Sequence, residues 1–280
     1  MFILEILKAV LFGIVEGITE WLPVSSTGHL ILLNEFLNLK VSPEFQEMFD
    51  VVIQLGAILA VIVIFFHKLN PFSPKKSPAK KKATWELWFK VCLAIIPSGV
   101  IGILFDDWMK AHLHSGIPVA IALIVYGIAF ILVELRNEGK APRIGKVWSI
   151  DYKTALCIGA FQCLSLVPGT SRSGSTILGA LLLGVSRSAG SEFSFFMAIP
   201  TMLGASAIKL LGFLTSGAAF GFGEFTILAV GTVVSFIVSM VAIKGLMNYV
   251  RRHSFSAFGV YRIVLGAVVL VYFIIKGILA

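Results

Sequence analysis

Glu16-Gly-Ile-Thr-Glu20-Trp-Leu-Pro-Val-Ser25-Ser-Thr-Gly-His29 and Gln162-Cys-Leu-Ser-Leu-Val-Pro-Gly-Thr-Ser171-Arg-Ser-Gly174 gather carboxylates, hydroxyls, an imidazole and a guanidinium within apolar sequence. Glu16 and Glu20 are four residues apart, so on a helix they share a face and could hold one divalent cation or one proton between them. The same pair could also be two solvated acids at a helix end. Ser25, Ser26, Thr27 and Gly28 place hydroxyls, a glycine and free amides at the start of a return helix. Such a start suits phosphate, and it equally suits ordinary hydroxyl capping of a broken helix. Thr170, Ser171, Arg172, Ser173 and Gly174 repeat the arrangement and add a guanidinium, whose planar fork grips two phosphate oxygens. The alternative is an arginine that merely balances Glu16 or Glu20. An anion cradle, a nucleophile, a positive clamp and acid/base groups together suit phosphoryl transfer, a reaction catalysed mainly by positioning and electrostatics.

These groups are costly where they stand. Hydrophobic residues make up 58% of the 280 positions and charged residues 14%, the composition of an integral membrane protein forming one domain over residues 1–280. Ionisable groups at bilayer depth cost several kcal/mol and tend to mark a pathway or a reaction centre. The formal charge of +8 would suggest nucleic acid in a soluble protein, but the basic residues cluster between apolar runs and report orientation instead; no nucleic-acid partner is expected. Cys92, Cys157 and Cys163 lack disulfide or metal spacing and read as buried free thiols. Glu5 and Lys8 within the first apolar run argue against a removable signal peptide. Arg262 and the other charged groups inside apolar runs read as snorkelling or inter-helix pairing, and His112 with His114 as interfacial residues beside Trp108.

Six apolar runs, 49–66, 84–105, 117–135, 193–214, 225–248 and 257–275, are long enough to cross a hydrocarbon core of about 30 Å. Two other regions are not. Residues 154–167 stop at Pro168-Gly169 and 174–185 are short, so together they enter and turn back. The first apolar run likewise becomes charged at Glu16 and Glu20, halts at Leu22-Pro23 and returns over 27–37. A constant offset pairs Gly13 with Gly159, Glu16 with Gln162, Ser25 with Ser171, Thr27 with Ser173 and Gly28 with Gly174. The expected architecture is therefore all-α, with pseudo-repeats at about 1–135 and 150–280, each holding one re-entrant helix-loop-helix and three transmembrane helices. An odd number of spans per half inverts the second half.

Loop charge tests that arithmetic. The basic loop 67–83 carries six lysines and no acid, 136–153 carries five Lys or Arg against two acids, and 248–254 contains Arg251-Arg252. The alternate loops 35–48, 106–115 and 215–224 are acidic or sparse in charge. The basic set should be cytoplasmic, with both termini outside. The two hairpins then dip from opposite faces, and Ser25-Ser26-Thr27 approaches Ser171-Arg172-Ser173 near the midplane.

The string Glu16-xxx-Glu20 followed by Leu-Pro-Val-Ser-Ser-Thr-Gly-His29, with Pro168-Gly-Thr-Ser-Arg-Ser-Gly174 further on, resembles the undecaprenyl pyrophosphate phosphatase family, whose bacterial members are associated with bacitracin resistance. The resemblance implies hydrolysis of a polyprenyl pyrophosphate lipid to undecaprenyl phosphate and inorganic phosphate, which recycles the carrier for peptidoglycan and other envelope polymers. It also implies Mg²⁺ or Ca²⁺, and Glu16 and Glu20 are the metal candidates. On this chain it makes Ser26 the candidate nucleophile, Arg172 the clamp, Glu20 the base or metal-associated carboxylate, Glu16 its partner and His29 an acid/base group. Ser25, Thr27, Gly28, Thr170, Ser171, Ser173 and Gly174 would line the substrate. His29 as nucleophile, or a water activated by the carboxylates, would use the same residues. The expected place is the bacterial plasma membrane among its lipids, with the site open to the outer face; homodimer formation stays open. A lipid-phosphate flippase or anion transporter could use the same cradle without chemistry.

Overall fold

The structure, a computed structural model, describes residues 2–113, 116–215 and 221–279. Helix α1 (Phe2–Thr19) and α2 (Ser26–Leu37) form a first hairpin, followed by α3 (Pro43–Ile64), the single turn α4 (Phe66–Leu69), α5 (Pro78–Leu113) and α6 (Gly116–Asn137). A second hairpin of α7 (Tyr152–Gln162) and α8 (Arg172–Leu182) precedes α9 (Arg187–Thr215), α10 (Phe222–Tyr249) and α11 (Ser256–Leu279). Among the described residues there is no β-strand, only an isolated bridge between Ile144 and Val185. Six helices, α3, α5, α6, α9, α10 and α11, are long and apolar enough to cross a membrane. The chain is a multi-pass, all-α membrane protein. Neither hairpin supplies a candidate span.

Local chemistry sets the boundaries. Ser42 accepts the Phe45 N–H at 3.2 Å and Pro43 and Glu44 follow it, so α3 starts ahead of its apolar run. Asp151 caps α7 in the same way; the Thr154 N–H on its carboxylate holds that group below the usual carboxylate range. Three expectations need correction, the first being the loop expected at 106–115, most of which α5 takes up by running on to Leu113. The segment 67–83 is not a loop throughout, because α5 begins at Pro78 and takes Lys80, Lys81 and Lys82 into its first turns. At 36 residues α5 is about 54 Å long and outruns the hydrocarbon core. Nor are all the thiols buried: Cys92 is exposed on α5, while Cys157 and Cys163 are half-buried. His112 stacks on Trp108 with ring centroids 4.8 Å apart; His114 lies outside the described residues.

The two halves exchange partners. Helix α1 packs on α10 and α7 on α5, while α3 meets α9 and α6 meets α11. Small residues allow these approaches, as they do between helices in lipid. A Cβ on Gly13 would lie 2.6 Å from the Gly231 carbonyl oxygen, and one on Gly17 would lie 2.8 Å from that of Ser235. Gly159 in α7 meets α5 more closely still, where a Cβ would lie 1.9 Å from the Ala94 carbonyl oxygen. Gly127 and Gly259 face each other across α6 and α11, each leaving no room for a side chain on the other. Glu47 pairs with Lys209 and, at 2.6 Å, Lys68 with Glu192, closing the two ends of the α3 and α9 pair.

Candidate active site

Proline and glycine stop both first helices at the same depth. Pro23 biases Leu22 away from helix, and the Val24 N–H turns back to the Leu22 carbonyl at 2.7 Å. In the second hairpin, Gly169 sits at φ +93° after Pro168, and the Thr170 N–H closes a turn on the Val167 carbonyl at 3.2 Å. Each return helix then begins behind a serine at positive φ, Ser25 at 75° and Ser171 at 73°, the only such non-glycine residues among those described. Their hydroxyls accept the Gly28 N–H at 3.2 Å and the Gly174 N–H at 3.1 Å. Left-handed serine costs about 1–3 kcal/mol and persists only where the surroundings fix it, commonly at functional sites.

These turns bring the two segments into contact. Ser26, at the start of α2, donates its hydroxyl to Glu20 Oε2 at 2.7 Å. The other Glu20 oxygen, Oε1, accepts Arg172 Nη2 at 3.0 Å and Nε at 3.2 Å. Arg172 Nη1 donates to the Ser194 carbonyl at 2.7 Å, and the guanidinium lies 5.8 Å from the Trp21 ring centroid. Ser173 Oγ ties the hairpins together through the Glu20 carbonyl at 3.0 Å and takes part in a 3.1 Å contact with Ser171 Oγ. Glu20, Ser26 and Ser173 are all buried. One carboxylate thus joins a hydroxyl to a guanidinium out of water, where Coulomb attraction is several times stronger than at a surface. In this arrangement Arg172 is the counter-ion of Glu20, and both groups have oxygens or protons to offer an anion that displaces them.

Glu16 is different. It is fully buried, and neither carboxylate oxygen has a hydrogen-bond partner; Glu20, Asp50 and Arg172 are the charges around it. The residue matching it, Gln162, donates to Ser98 Oγ at 2.6 Å and to Thr201 Oγ1 at 3.3 Å. Ser98 stands four residues beyond Ala94, where α7 touches α5, and Ser235 stands four beyond Gly231, where α1 touches α10. Ser235 Oγ is buried and without a partner too. The position that holds a bonded pair in one half therefore holds two unpaired groups in the other.

Not every expected residue joins the cluster. Thr27 is exposed on α2. The Thr170 hydroxyl bonds the Val167 carbonyl at 2.7 Å and the Leu164 carbonyl at 2.9 Å, which makes it a brace for its own turn. The amides of Gly28 and Gly174 are occupied by their capping serines, so capping is the use the turns make of them here. Both His29 nitrogens are engaged, Nδ1 with the Ser25 carbonyl and Nε2 with the Tyr261 hydroxyl, each at 2.7 Å. A carbonyl can only accept, so Nδ1 carries a proton, and the neutral ring takes the Tyr261 hydroxyl on Nε2. Tyr261 carried no signal in the sequence beyond being an aromatic in an apolar run. Arg262 beside it, expected to snorkel or pair between helices, does the second: it is fully buried in the fold and bonds only backbone carbonyls, those of Ala122 and Leu123 on α6 among them. Lys90 also pairs between helices, lying buried on α5 with its ammonium 5.4 Å from the Tyr152 ring centroid of α7.

Comparison with known proteins bears on the whole chain. The family described as Bacitracin resistance protein BacA matches residues 9–268. An undecaprenyl-diphosphatase of Enterococcus faecalis is 56% identical over 267 residues, covering 95% of this chain and 97% of the relative. One of Limosilactobacillus fermentum is 56% identical over 270 residues, 96% of this chain and 98% of the relative. One of Streptococcus gordonii is 54% identical over 281 aligned positions that cover both chains completely.

Proposed function

Because the chain belongs to the bacitracin resistance protein BacA family, we propose that it hydrolyses undecaprenyl pyrophosphate to undecaprenyl phosphate and inorganic phosphate. The observation that carries the chemistry is the Ser26–Glu20–Arg172 chain, in which one buried carboxylate already accepts a hydrogen bond from a hydroxyl and pairs with a guanidinium. Ser26 Oγ attacks the terminal phosphorus while its proton passes to Glu20 Oε2. The bond from that phosphorus to the bridging oxygen breaks, and undecaprenyl phosphate leaves. Glu20 hands that proton to the departing undecaprenyl phosphate. Water then attacks the phosphoserine and gives a proton to Glu20 while the bond from phosphorus to Ser26 Oγ breaks. Ser26 takes that proton back, and inorganic phosphate is released. Arg172 turns its Nη2 and Nε from Glu20 to the phosphate oxygens while Nη1 stays on Ser194, so the clamp pivots about a fixed point. His29 supports the Ser25 turn and leaves the nucleophile's role to Ser26, since both its nitrogens are taken.

A hard divalent cation fits the donor set. The two unpartnered oxygens of Glu16 beside Glu20 are oxygen ligands of the type that Mg²⁺ and Ca²⁺ take. Glu16 and Glu20 would hold it, and when bound it supplies positive charge to the pyrophosphate.

Further, we read the architecture as an inverted repeat, each half one hairpin and three spans, in the bacterial plasma membrane with the site open to its outer face. The exchange of α1 onto α10 and α7 onto α5 supports that reading. A flippase or anion carrier would need the cradle but not the bonded hydroxyl. Purified protein in detergent, where no second compartment exists, separates the two. Release of inorganic phosphate from undecaprenyl pyrophosphate is expected; binding of the lipid without release would give the carrier reading.

A further inference from the structure

Arg262 stands in the second turn of α11 with no exposed surface, the largest buried cation among the described residues. A buried guanidinium is expensive unless every donor finds an acceptor. No carboxylate is among its described partners. All four of its hydrogen bonds go to backbone carbonyls: Nη2 to Gly169 at 2.8 Å, Nη1 to Pro23 at 3.1 Å, Nε to Leu123 at 3.4 Å and Nη2 to Ala122 at 3.5 Å. The Tyr126 ring centroid lies 5.4 Å from the guanidinium carbon.

The two shortest bonds fall at corresponding places. The offset that pairs Ser25 with Ser171 also pairs Pro23 with Gly169. Each carbonyl precedes by two residues the left-handed serine that caps a return helix, α2 bearing Ser26 or α8 bearing Arg172. The longer bonds anchor the same guanidinium to α6, and α6 and α11 are locked together where Gly127 faces Gly259. One planar group therefore ties both turns to a rigid pair of helices. The direct contact between Glu20 and Arg172 cannot set that spacing during turnover, because the pyrophosphate must compete for Arg172, which leaves Arg262 and the single Ser173 hydroxyl on the Glu20 and Leu22 carbonyls to hold the turns.

We propose that Arg262 is a positioning residue for the hydrolysis: by holding the carbonyls of Pro23 and Gly169 it fixes the separation of the two turns, and with it the reach from Ser26 to Arg172. The proposal rests on the hydrolytic reading above. Lysine keeps the charge but, as a compact ammonium, cannot span carbonyls on both sides. A misplaced reacting pair loses rate more than binding.

The test is phosphate release from undecaprenyl pyrophosphate by purified wild type, Arg262→Lys, Arg172→Lys and the double variant. Arg262→Lys should lower kcat by about 10-fold or more and change KM by less than about threefold. In the Arg172→Lys background the same change should lower kcat by less than about threefold, because the clamp whose placement it sets is already gone. Arg262→Gln, which keeps a planar donor, supplies the same comparison if lysine does not give monodisperse protein. Wild-type kcat in Arg262→Lys, or losses that multiply fully in the double variant, would assign Arg262 to bulk packing and overturn the proposal. A wild-type protein that releases no phosphate would remove the hydrolytic reading and the proposal with it.

Discussion

At the scale of single residues, Glu16 and Glu20 show how one side-chain type serves two ends. Glu20 is fully used, bonded to Ser26 through one oxygen and to Arg172 through the other. Glu16 is buried and unpaired, an arrangement that costs about 1–3 kcal/mol for a neutral group and more for a charged one. Replacing Glu16 with Gln puts at 16 the amide that stands at 162 and removes a buried, unpartnered carboxyl. The expected result is a thermal midpoint higher by about 2–5 °C together with reduced phosphate release, the trade expected where a site is held for function at the expense of stability. Glu20→Gln should cost more activity than Glu16→Gln, because it breaks both bonds of the chain. A destabilised Glu16→Gln, or a Glu20→Gln as active as wild type, would contradict this division of roles. Arg172→Lys keeps charge and loses the fork. It should cut kcat by ~10²-fold, as losing one preorganised oxyanion donor does, and a lysine variant close to the wild-type rate would leave Arg172 only its counter-ion part.

At the scale of elements, the breaks were legible and the turns between them were not. Pro23 and Pro168-Gly169 announced, within a few residues, where α1 and the 152–166 segment end, although α5 runs through Pro97 and α9 through Pro200, so that the proline marks a break only with the charged or glycine residues beside it. Ser25 and Ser171 gave no such warning: serine signals a cap, and nothing in its type signals φ near 75°. The same limit misplaced two hydroxyls. Thr27 and Thr170 belong to hydroxyl-rich strings, yet one points out and the other braces its own turn, since the turn geometry and not the residue type aims the side chain. Helix contacts depended on small residues whose meaning needs a partner. Gly159 matched Gly13 in sequence, but only the structure puts it against the Ala94 carbonyl. Gly159→Ala should therefore push α7 off α5 and destabilise the protein by about 1–3 kcal/mol, the usual cost of overpacking, while Gly245→Ala, with open space around it, should leave the thermal midpoint within about 1 °C. Equal midpoints for the two variants would mean that α7 and α5 have slack that the close approach denies.

For the molecule as a whole, the six long apolar runs were read directly from the sequence because the bilayer imposes a length that composition alone can satisfy. Partner exchange between the halves was not readable in this way; it depends on which stripes of each helix meet, and lipid-facing and buried stripes are both apolar. Nor was the burial of Arg262, since carbonyl acceptors carry no sequence signal at all. Orientation rests on loop charge, and it can be checked on the folded protein in cells. In a background without Cys92, Cys157 and Cys163, single cysteines replace Ser77, ahead of the lysine-bearing start of α5, and His112, near its far end; both positions are exposed. Because α5 crosses once, the two must label from opposite sides. A basic start on the cytoplasmic face requires that an impermeant thiol reagent reach His112→Cys in intact cells and Ser77→Cys only after permeabilisation. Labelling of Ser77→Cys in intact cells, with His112→Cys protected, would reverse α5. The hairpins would then open to the two faces of the membrane in the opposite order, and a site facing the outer side could no longer be held.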